Sequence, residues 1–404
     1  MSGAVVIVGA GQAGAQAAIT LRQQNFAGSI TLVGDEGYVP YERPPLSKSF
    51  LAGDSALEKM FMRAPEFYAE HAIDVRLNTS VMAIDRTAKS VRLNDGGSLA
   101  YDKLVLATGG RVRRLSLPGG DLPQVKYLRT IADVLEYRDR LQPGTRLVIV
   151  GGGYIGLEVA AVAVKRGCAV TVLEAMPLVL NRVVAPELSR FYQQVHAAAG
   201  VTIATTAGVT AFEPAGAGVD VLTSTGRRFA ADLVIVGIGI APNVELAAAA
   251  GLAVDNGIVV DAFATTADPD IFAAGDCTNH PSVAGGGRVR LESVQNALSQ
   301  GKTAALAILG QGAPYDEIPW FWSDQYDLKL QMTGLSRPGD QVVIRGAMAE
   351  RKFSACYLRD GVLVACHAVN QAKDFIQSKK LIAARASVDP ARLADVSVAL
   401  KDLT

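Results

Sequence analysis

The sequence predicts an α/β protein with two nucleotide-binding strand–turn–helix units in one chain, followed by an α+β region at the C-terminal end. Three observations predict it. VVIVGAGQAGAQAA at residues 5–18 is a β-branched run that ends in a glycine-rich turn and continues as a helix. LVIVGGGYIGLEVA at residues 147–160 repeats the pattern. Far beyond both, KFSACYLRDGVLVACHAVN reads as a hairpin with Asp360-Gly361 at a type I′ turn.

Composition limits the alternatives. The chain has 404 residues, enough for two or three domains, and half of them are apolar, so a large core is available. Lys plus Arg and Asp plus Glu both number 39, which leaves no overall field to attract nucleic acid or an anionic membrane. No apolar run reaches the roughly 18 residues of a membrane span; DLVIVGIGIAPN is broken by Gly237 and Gly239. The opening MSGAVVIVGAG has no basic n-region and reads as a strand, so a cytosolic location is expected. Cys168, Cys277, Cys356 and Cys366 form neither a CxxC pair nor a metal-binding cluster and read as buried apolar residues. The four histidines are scattered and read as structural or exposed.

In the first unit, Val5 to Val8 is the strand and Gln12 to Gln23 the helix. Gly9 permits the tight turn, Gly11 lets the backbone approach a pyrophosphate, and Gly14 lets helix and strand pack closely. A second strand, Ile30 to Val33, leads to Asp35, an acceptor for adenosine ribose hydroxyls.

The second unit repeats each part: Leu147 to Val150, then Gly151, Gly153 and Gly156, a helix to about Lys165, and a strand from Cys168 to Leu173. Glu174 at its end accepts from a 2′-hydroxyl and repels a 2′-phosphate, so NAD(H) is expected rather than NADP(H), with Arg182 the one nearby cation that weakens the inference. Two dinucleotide sites in one chain suit hydride transfer, which needs a donor and an acceptor; FAD with a nicotinamide supplies that pair.

Other stretches extend the scheme. YDKLVLATGG at 101–110 and ADLVIVGIGIAPN at 231–243 are strands that end in small-residue turns, and DPDIFAAGDCTN at 268–279 ends in Gly275-Asp276, which suits a ribityl hydroxyl. Pro44 and Pro45 stiffen a loop that ends at Lys48. An ammonium held there favours a reduced flavin, although the stretch also fits a surface loop with a solvated lysine. The helical stretch from Leu291 offers N-terminal N–H groups to negative charge or serves simply as a packing helix.

These motifs, with YERPPLSKSFL at 41–51 and PWFWSDQYDLKLQMTG at 319–334, resemble the NADH-dependent, FAD-containing ferredoxin reductases of bacterial oxygenase systems over essentially the whole chain. The resemblance implies a glutathione-reductase-like fold with two Rossmann-type domains. Residues 1–108 and 243–320 would form an FAD domain around an NADH domain at 109–242, with a C-terminal α/β domain at 321–404. It implies FAD contacts at Gly9, Gly11, Ala13, Gly14, Asp35, Arg43, Lys48, Val81, Arg129, Asp276 and Val294. NADH contacts would fall at Gly153, Ile155, Gly156, Glu158, Glu174 and Gly239. Glu158 would bind the carboxamide or orient the nicotinamide ring rather than donate a proton.

The expected electron acceptor is a 2Fe-2S ferredoxin that feeds an oxygenase. The first helix has no cysteine for a dithiol relay, and RPPLSKSF has serines in place of a reactive cysteine. Trp320 and Trp322, pointing the same way on a strand, either shield the flavin and lie on the electron route or anchor two domains. Lys302, Lys379 and Lys380, with Arg385, are candidates for a basic docking patch or for an ordinary solvated face. A rubredoxin- or nitrite-reductase-type reductase and a slow flavin redox sensor are the alternatives. The expected assembly is a monomer or homodimer.

Overall fold

The computed structural model describes residues 3–403. The chain divides into two compact units, each made of separated segments. The first comprises the chain up to Glu42, Leu57–Arg111 and Ala241–Pro319; the second comprises Arg43–Ala56, Val112–Ile240 and the chain from Trp320 onward.

The first unit is built on a five-stranded parallel sheet. Its order is Ile271–Ala273, Lys103–Leu106, Ala4–Val8, Ser29–Val33 and Ile73–Arg76. Strands covered on both faces read as continuous apolar runs, and Val5, Val6, Ile7, Leu104, Val105 and Leu106 are all buried. The helix Gln12–Gln23 packs on the helix Val294–Ile308 at very short range. A Cβ on Gly301 would lie 2.3 Å from the Ala13 carbonyl oxygen. Ala13, Ala107, Ala274 and Ala297 form a cluster of small side chains beside that contact.

The second unit contains a parallel sheet ordered Val125–Tyr127, Leu233–Val236, Arg146–Val150, Ala169–Leu173 and Thr202–Ala204; its last four strands keep the relative order of the first sheet, whereas its outer strand, Val125–Tyr127, precedes the others in sequence where Ile271–Ala273 follows them. Each parallel sheet is accompanied by a three-stranded antiparallel meander: Val81–Asp85, Ser90–Leu93 and Ser98–Ala100 just before Lys103–Leu106 in one, Val209–Ala215, Gly218–Thr223 and Arg228–Ala231 just before Leu233–Val236 in the other. The second unit also holds an antiparallel sheet ordered Trp320–Gln325, Leu328–Gly334, Val362–Val369, Lys352–Arg359 and Gln341–Ala347.

Predicted and observed bounds agree closely. The first helix runs Gln12–Gln23 and the second Tyr154–Lys165. The hairpin turn has φ of 52° at Asp360 and 78° at Gly361, the two left-handed residues of a type I′ turn. One boundary differs from the sequence division, which assigns all of 1–108 to one part: Arg43–Ala56 groups with the second unit. The reason is contact with the second unit. Leu46, Phe50 and Leu51 are buried, and the Arg166 guanidinium donates to the Leu51 carbonyl at 3.0 Å.

The buried Arg345 holds the chain's end against the antiparallel sheet. Its guanidinium donates to the carbonyls of Leu393, Asp395 and Val398, and its Nε lies 3.3 Å from Asp374 Oδ2. No helix among the described residues is long and apolar enough to cross a membrane.

Candidate functional site

The two glycine turns are the same object built twice. The Gly9 N–H donates to the Val33 carbonyl and the Gly151 N–H to the Leu173 carbonyl, both at 2.8 Å. Their φ values are 111° and 110°, a conformation that L side chains rarely adopt. At the third glycines, a Cβ on Gly14 would lie 2.0 Å from the Gly9 oxygen, and one on Gly156 would lie 2.1 Å from the Gly151 oxygen.

The middle glycines decide whether these turns fit a dinucleotide. Gly11 and Gly153 are the N-cap residues of the two helices, with φ, ψ of −81°, −170° and −80°, −178°, and no side chain caps either helix. A Cβ on either would meet nothing within 4 Å. Packing therefore does not require glycine there; it leaves backbone N–H groups bare to an incoming pyrophosphate. In the second unit Gly239 is equally open at φ 94°, and Ile155 beside Gly153 is 41% exposed, apolar surface that a ligand would cover. Both turns fit the group.

Past the second strand the turns diverge. Glu174 follows Leu173, and its carboxylate accepts from the Gly152 N–H at 2.7 Å and the Met176 N–H at 2.8 Å, which holds it beside the turn. The equivalent residue in the first unit is Gly34: its N–H donates to the Arg76 carbonyl, as the Glu174 N–H does to Ala204. A Cβ on Gly34 would lie 2.5 Å from the Ala10 methyl, so an acid is excluded at that position. Asp35 is consequently one residue further on and exposed. Its neighbour Glu36, not singled out in the sequence, accepts from the Tyr41 hydroxyl at 2.5 Å.

Also in the first unit, Gly275 adopts φ 88° and its N–H donates to Gln300 Oε1 at 2.8 Å, so Asp276 emerges half-buried from a fixed turn. A Cβ on Gly275 would touch the Ala13 methyl at 3.0 Å. The helix that begins at Val294 is capped by the Ser293 hydroxyl, which accepts from the Asn296 N–H at 3.1 Å. Val81 is half-buried on the first strand of the meander.

The second unit brings together Lys48 and Glu158, which lie 110 residues apart in the sequence. Pro44–Ser47 forms a single 3₁₀ turn, with proline at its first position, that delivers Ser47 and Lys48 to one carboxylate. Lys48 Nζ donates to Glu158 Oε2 at 2.6 Å and the Ser47 hydroxyl to the same oxygen at 2.5 Å. The Ser323 hydroxyl donates to Oε1 at 2.6 Å. Glu158 is 2% exposed, so deleting Lys48 would strand a buried charge, at a cost of about 3–5 kcal/mol where nothing replaces it. In the same unit the Arg43 guanidinium donates to the Arg129 carbonyl at 2.7 Å, while the Arg129 N–H donates to Asp133 Oδ2, the carboxylate that also closes a capping box with Thr130.

Strand alternation sorts the residues around the tryptophans. The rings of Trp320 and Trp322 share one face with centroids 5.6 Å apart, whereas Phe321, Ser323 and Gln325 take the other. On the tryptophan face Lys379 Nζ sits 4.6 Å from the Trp320 centroid and 4.3 Å from that of Phe375. This half-buried lysine is thus engaged with two rings, unlike the exposed Lys380. Lys302 is exposed on a helix of the first unit.

The sequence reading missed Ser323 and the role of Ser47. Adjacency to Lys48 and the period-two pattern through Trp322 were the available signals. It also missed a cysteine pair: Cys356 and Cys366 are cross-strand partners with Sγ atoms 3.9 Å apart. No group of three or more His, Cys, Asp or Glu among the described residues could hold a metal ion.

Known proteins share this architecture. Residues 3–301 match the pyridine nucleotide-disulphide oxidoreductase family and residues 320–404 the reductase C-terminal family. Putidaredoxin reductase of Pseudomonas putida is 46% identical, over 99% of this chain and 96% of its own. The ferredoxin–NAD(+) reductase component of the anthranilate 1,2-dioxygenase system of Burkholderia cepacia is 44% identical, over 98% of each. A solved structure of a covalent putidaredoxin reductase–putidaredoxin complex matches with a TM-score of 0.96 at 46% identity, covering 99% of this chain and 98% of that one. With two equivalent nucleotide cradles and a matching C-terminal domain, the chain belongs to the pyridine nucleotide-disulphide oxidoreductases, among the ferredoxin reductases of oxygenase systems.

Proposed function

We propose that the protein is an FAD-dependent NADH:ferredoxin reductase that takes a hydride from NADH and passes electrons singly to a 2Fe-2S ferredoxin serving an oxygenase. The observation that carries this reading is the duplicated cradle, whose middle glycines are bare although nothing in the packing demands it. Bound FAD supplies the conversion between two-electron and one-electron chemistry.

The chain's own residues bind and orient. Gly9, Gly11, Ala13 and Gly14 would hold the FAD pyrophosphate and Asp35 its ribose, with Val81, Asp276, Val294, Arg43, Arg129 and Lys48 as further contacts. Gly153, Ile155, Gly156 and Gly239 would hold NADH, and Glu174 would accept from its 2′-hydroxyl. Glu158, fixed by three donors, would orient the nicotinamide end, because hydride transfer depends on alignment more than on acid–base catalysis. Lys302, Lys379 and Lys380 would contribute to ferredoxin docking in the cytosol, with Lys379 also held over Trp320.

The test is anaerobic titration of the purified protein with NADH and NADPH, then mixing with two-iron ferredoxins. The yellow protein should bleach with NADH far more readily than with NADPH and regain colour on mixing. A colourless protein that takes up no flavin would end the proposal. Lys380→Glu should lower ferredoxin-dependent turnover about threefold, as a rim charge does, and leave NADH–ferricyanide activity unchanged.

A further inference from the structure

Glu158 is the inner end of a hydrogen-bonded chain that runs through three elements of the second unit. The Ser323 hydroxyl donates to Glu158 Oε1 at 2.6 Å, and Gln325 Nε2 donates to Ser323 Oγ at 3.1 Å. His196 Nε2 lies 2.9 Å from Gln325 Oε1, and the Tyr326 hydroxyl lies 2.9 Å from His196 Nδ1. Glu158, Ser323, Gln325 and His196 are all buried.

The direction of every bond follows from the inner end. A carboxylate only accepts, so Ser323 donates to it; Ser323 then accepts from the Gln325 amide N–H. That leaves the Gln325 oxygen to accept from His196 Nε2–H and His196 Nδ1 to accept from Tyr326. All donors point towards Glu158. An amide in mid-chain cannot relay a proton without becoming an imidic acid, so the chain is unsuited to proton conduction. It is suited to holding one geometry, because breaking any link leaves a buried polar group unpaired. The outermost link is built at a cost: Tyr326 has φ 56° in the two-residue turn between Gln325 and Leu328, a left-handed conformation that strains a residue with a side chain.

We infer that Ser323 is a positioning residue, locked by Gln325 and His196, that fixes the Glu158 carboxylate with Oε2 committed to Lys48 and Ser47 and thereby sets how the nicotinamide end of the dinucleotide is held. The inference rests on the reading that Glu158 serves the nicotinamide.

Calorimetric binding of NAD+ and of ADP-ribose to the oxidised, flavin-loaded enzyme separates the two ideas, since ADP-ribose lacks the nicotinamide. Ser323→Ala should weaken NAD+ by about fivefold, the worth of one hydrogen bond, and leave ADP-ribose binding unchanged. In a Glu158→Ala background it should change neither. Equal weakening of both ligands, no weakening of NAD+, or an undiminished effect without Glu158 would overturn the inference. If Glu158→Ala itself leaves NAD+ binding unaltered, the nicotinamide reading falls and takes the inference with it. Should Ser323→Ala not accumulate as folded protein, Gln325→Met cuts the chain one link further out and carries the same test.

Discussion

The two glycine turns share register, backbone angles and the order of the four strands around them, yet an exchange of small and large residues separates them. In the first, Ala10 has a methyl and Gly34 has no side chain; in the second, Gly152 has none and Glu174 fills the space. A Cβ on Gly152 would meet Glu174 Oε2 at 3.1 Å and Val179 Cγ1 at 2.9 Å. Each turn has room for one side chain at this point, and which strand supplies it determines whether an acid stands beside the turn or one residue beyond. Two positions past the third glycine the turns part again. Gln16 donates within its own helix to the Thr20 hydroxyl at 3.0 Å, whereas Glu158 gathers donors from distant segments. Scaffolding is common to both turns, and their chemistry lies in a few exchanged side chains.

The shared part is tested by the largest expected effects. Gly14→Val and Gly156→Val should each cost more than about 3 kcal/mol, because the added atoms meet backbone rather than a movable side chain. Melting temperature and folded yield measure the loss. Tolerance at one position but not the other would break the equivalence of the two turns.

The open glycines should separate ligand from fold. Gly11→Val should yield folded but flavin-free protein, whereas Gly153→Val should stay yellow and bind NADH on the order of 100-fold more weakly, about 2.7 kcal/mol. Flavin absorbance and NADH titration report the two losses independently. If Gly153→Val also cost the flavin, the cradles would not serve separate ligands.

Acid should strain both units through buried histidines. Burial, and secondarily Arg288, lowers His280 in the first unit to about 4; burial lowers His367 in the second to about 3. Both lie below the ordinary imidazole value of about 6.5, so the unfolded chain takes up a proton first as pH falls. The associated stability is complete above about pH 6.5 and is lost on descent towards pH 3–4, at about 1.4 kcal/mol per pH unit for each histidine. Replacing His367 with Gln should flatten the pH dependence of the unfolding free energy by one proton, measured by denaturant titration from pH 7 to 4.5.

The smallest effect probes the divergence itself. Glu174→Ala should reduce the preference for NADH over NADPH about tenfold, as expected for one acceptor facing a ribose hydroxyl. An unchanged ratio of kcat/KM values would show that Glu174 does not read the ribose.

Much of this was legible because it depends on short-range chemistry. The bounds of both strand–turn–helix units followed from β-branched runs and glycine spacing, and alternation placed Trp320 and Trp322 on one face. Contacts set by long-range folding were not legible. Lys48 and Glu158 could be named separately, but nothing in their spacing joins them. The cysteine pair was hidden by a one-residue irregularity. A two-residue turn at Asp360-Gly361 would set Cys356 opposite Ala365, but a register shift between Tyr357 and Leu358 sets it opposite Cys366. The grouping of Arg43–Ala56 with the second unit depends on Arg166, more than a hundred residues away.

The strand orders also fix when each sheet becomes whole as the nascent chain leaves the ribosome. All five strands of the second parallel sheet lie between Val125 and Val236, so it closes from one uninterrupted stretch. The first sheet has four strands by Leu106 but gains its fifth, Ile271–Ala273, only after the second sheet's strands have been synthesised. Throughout that interval Lys103–Leu106 presents an unpaired edge of apolar residues, an invitation to wrong partners. The later sheet therefore has all its strands available before the earlier one, which waits for a late-arriving strand.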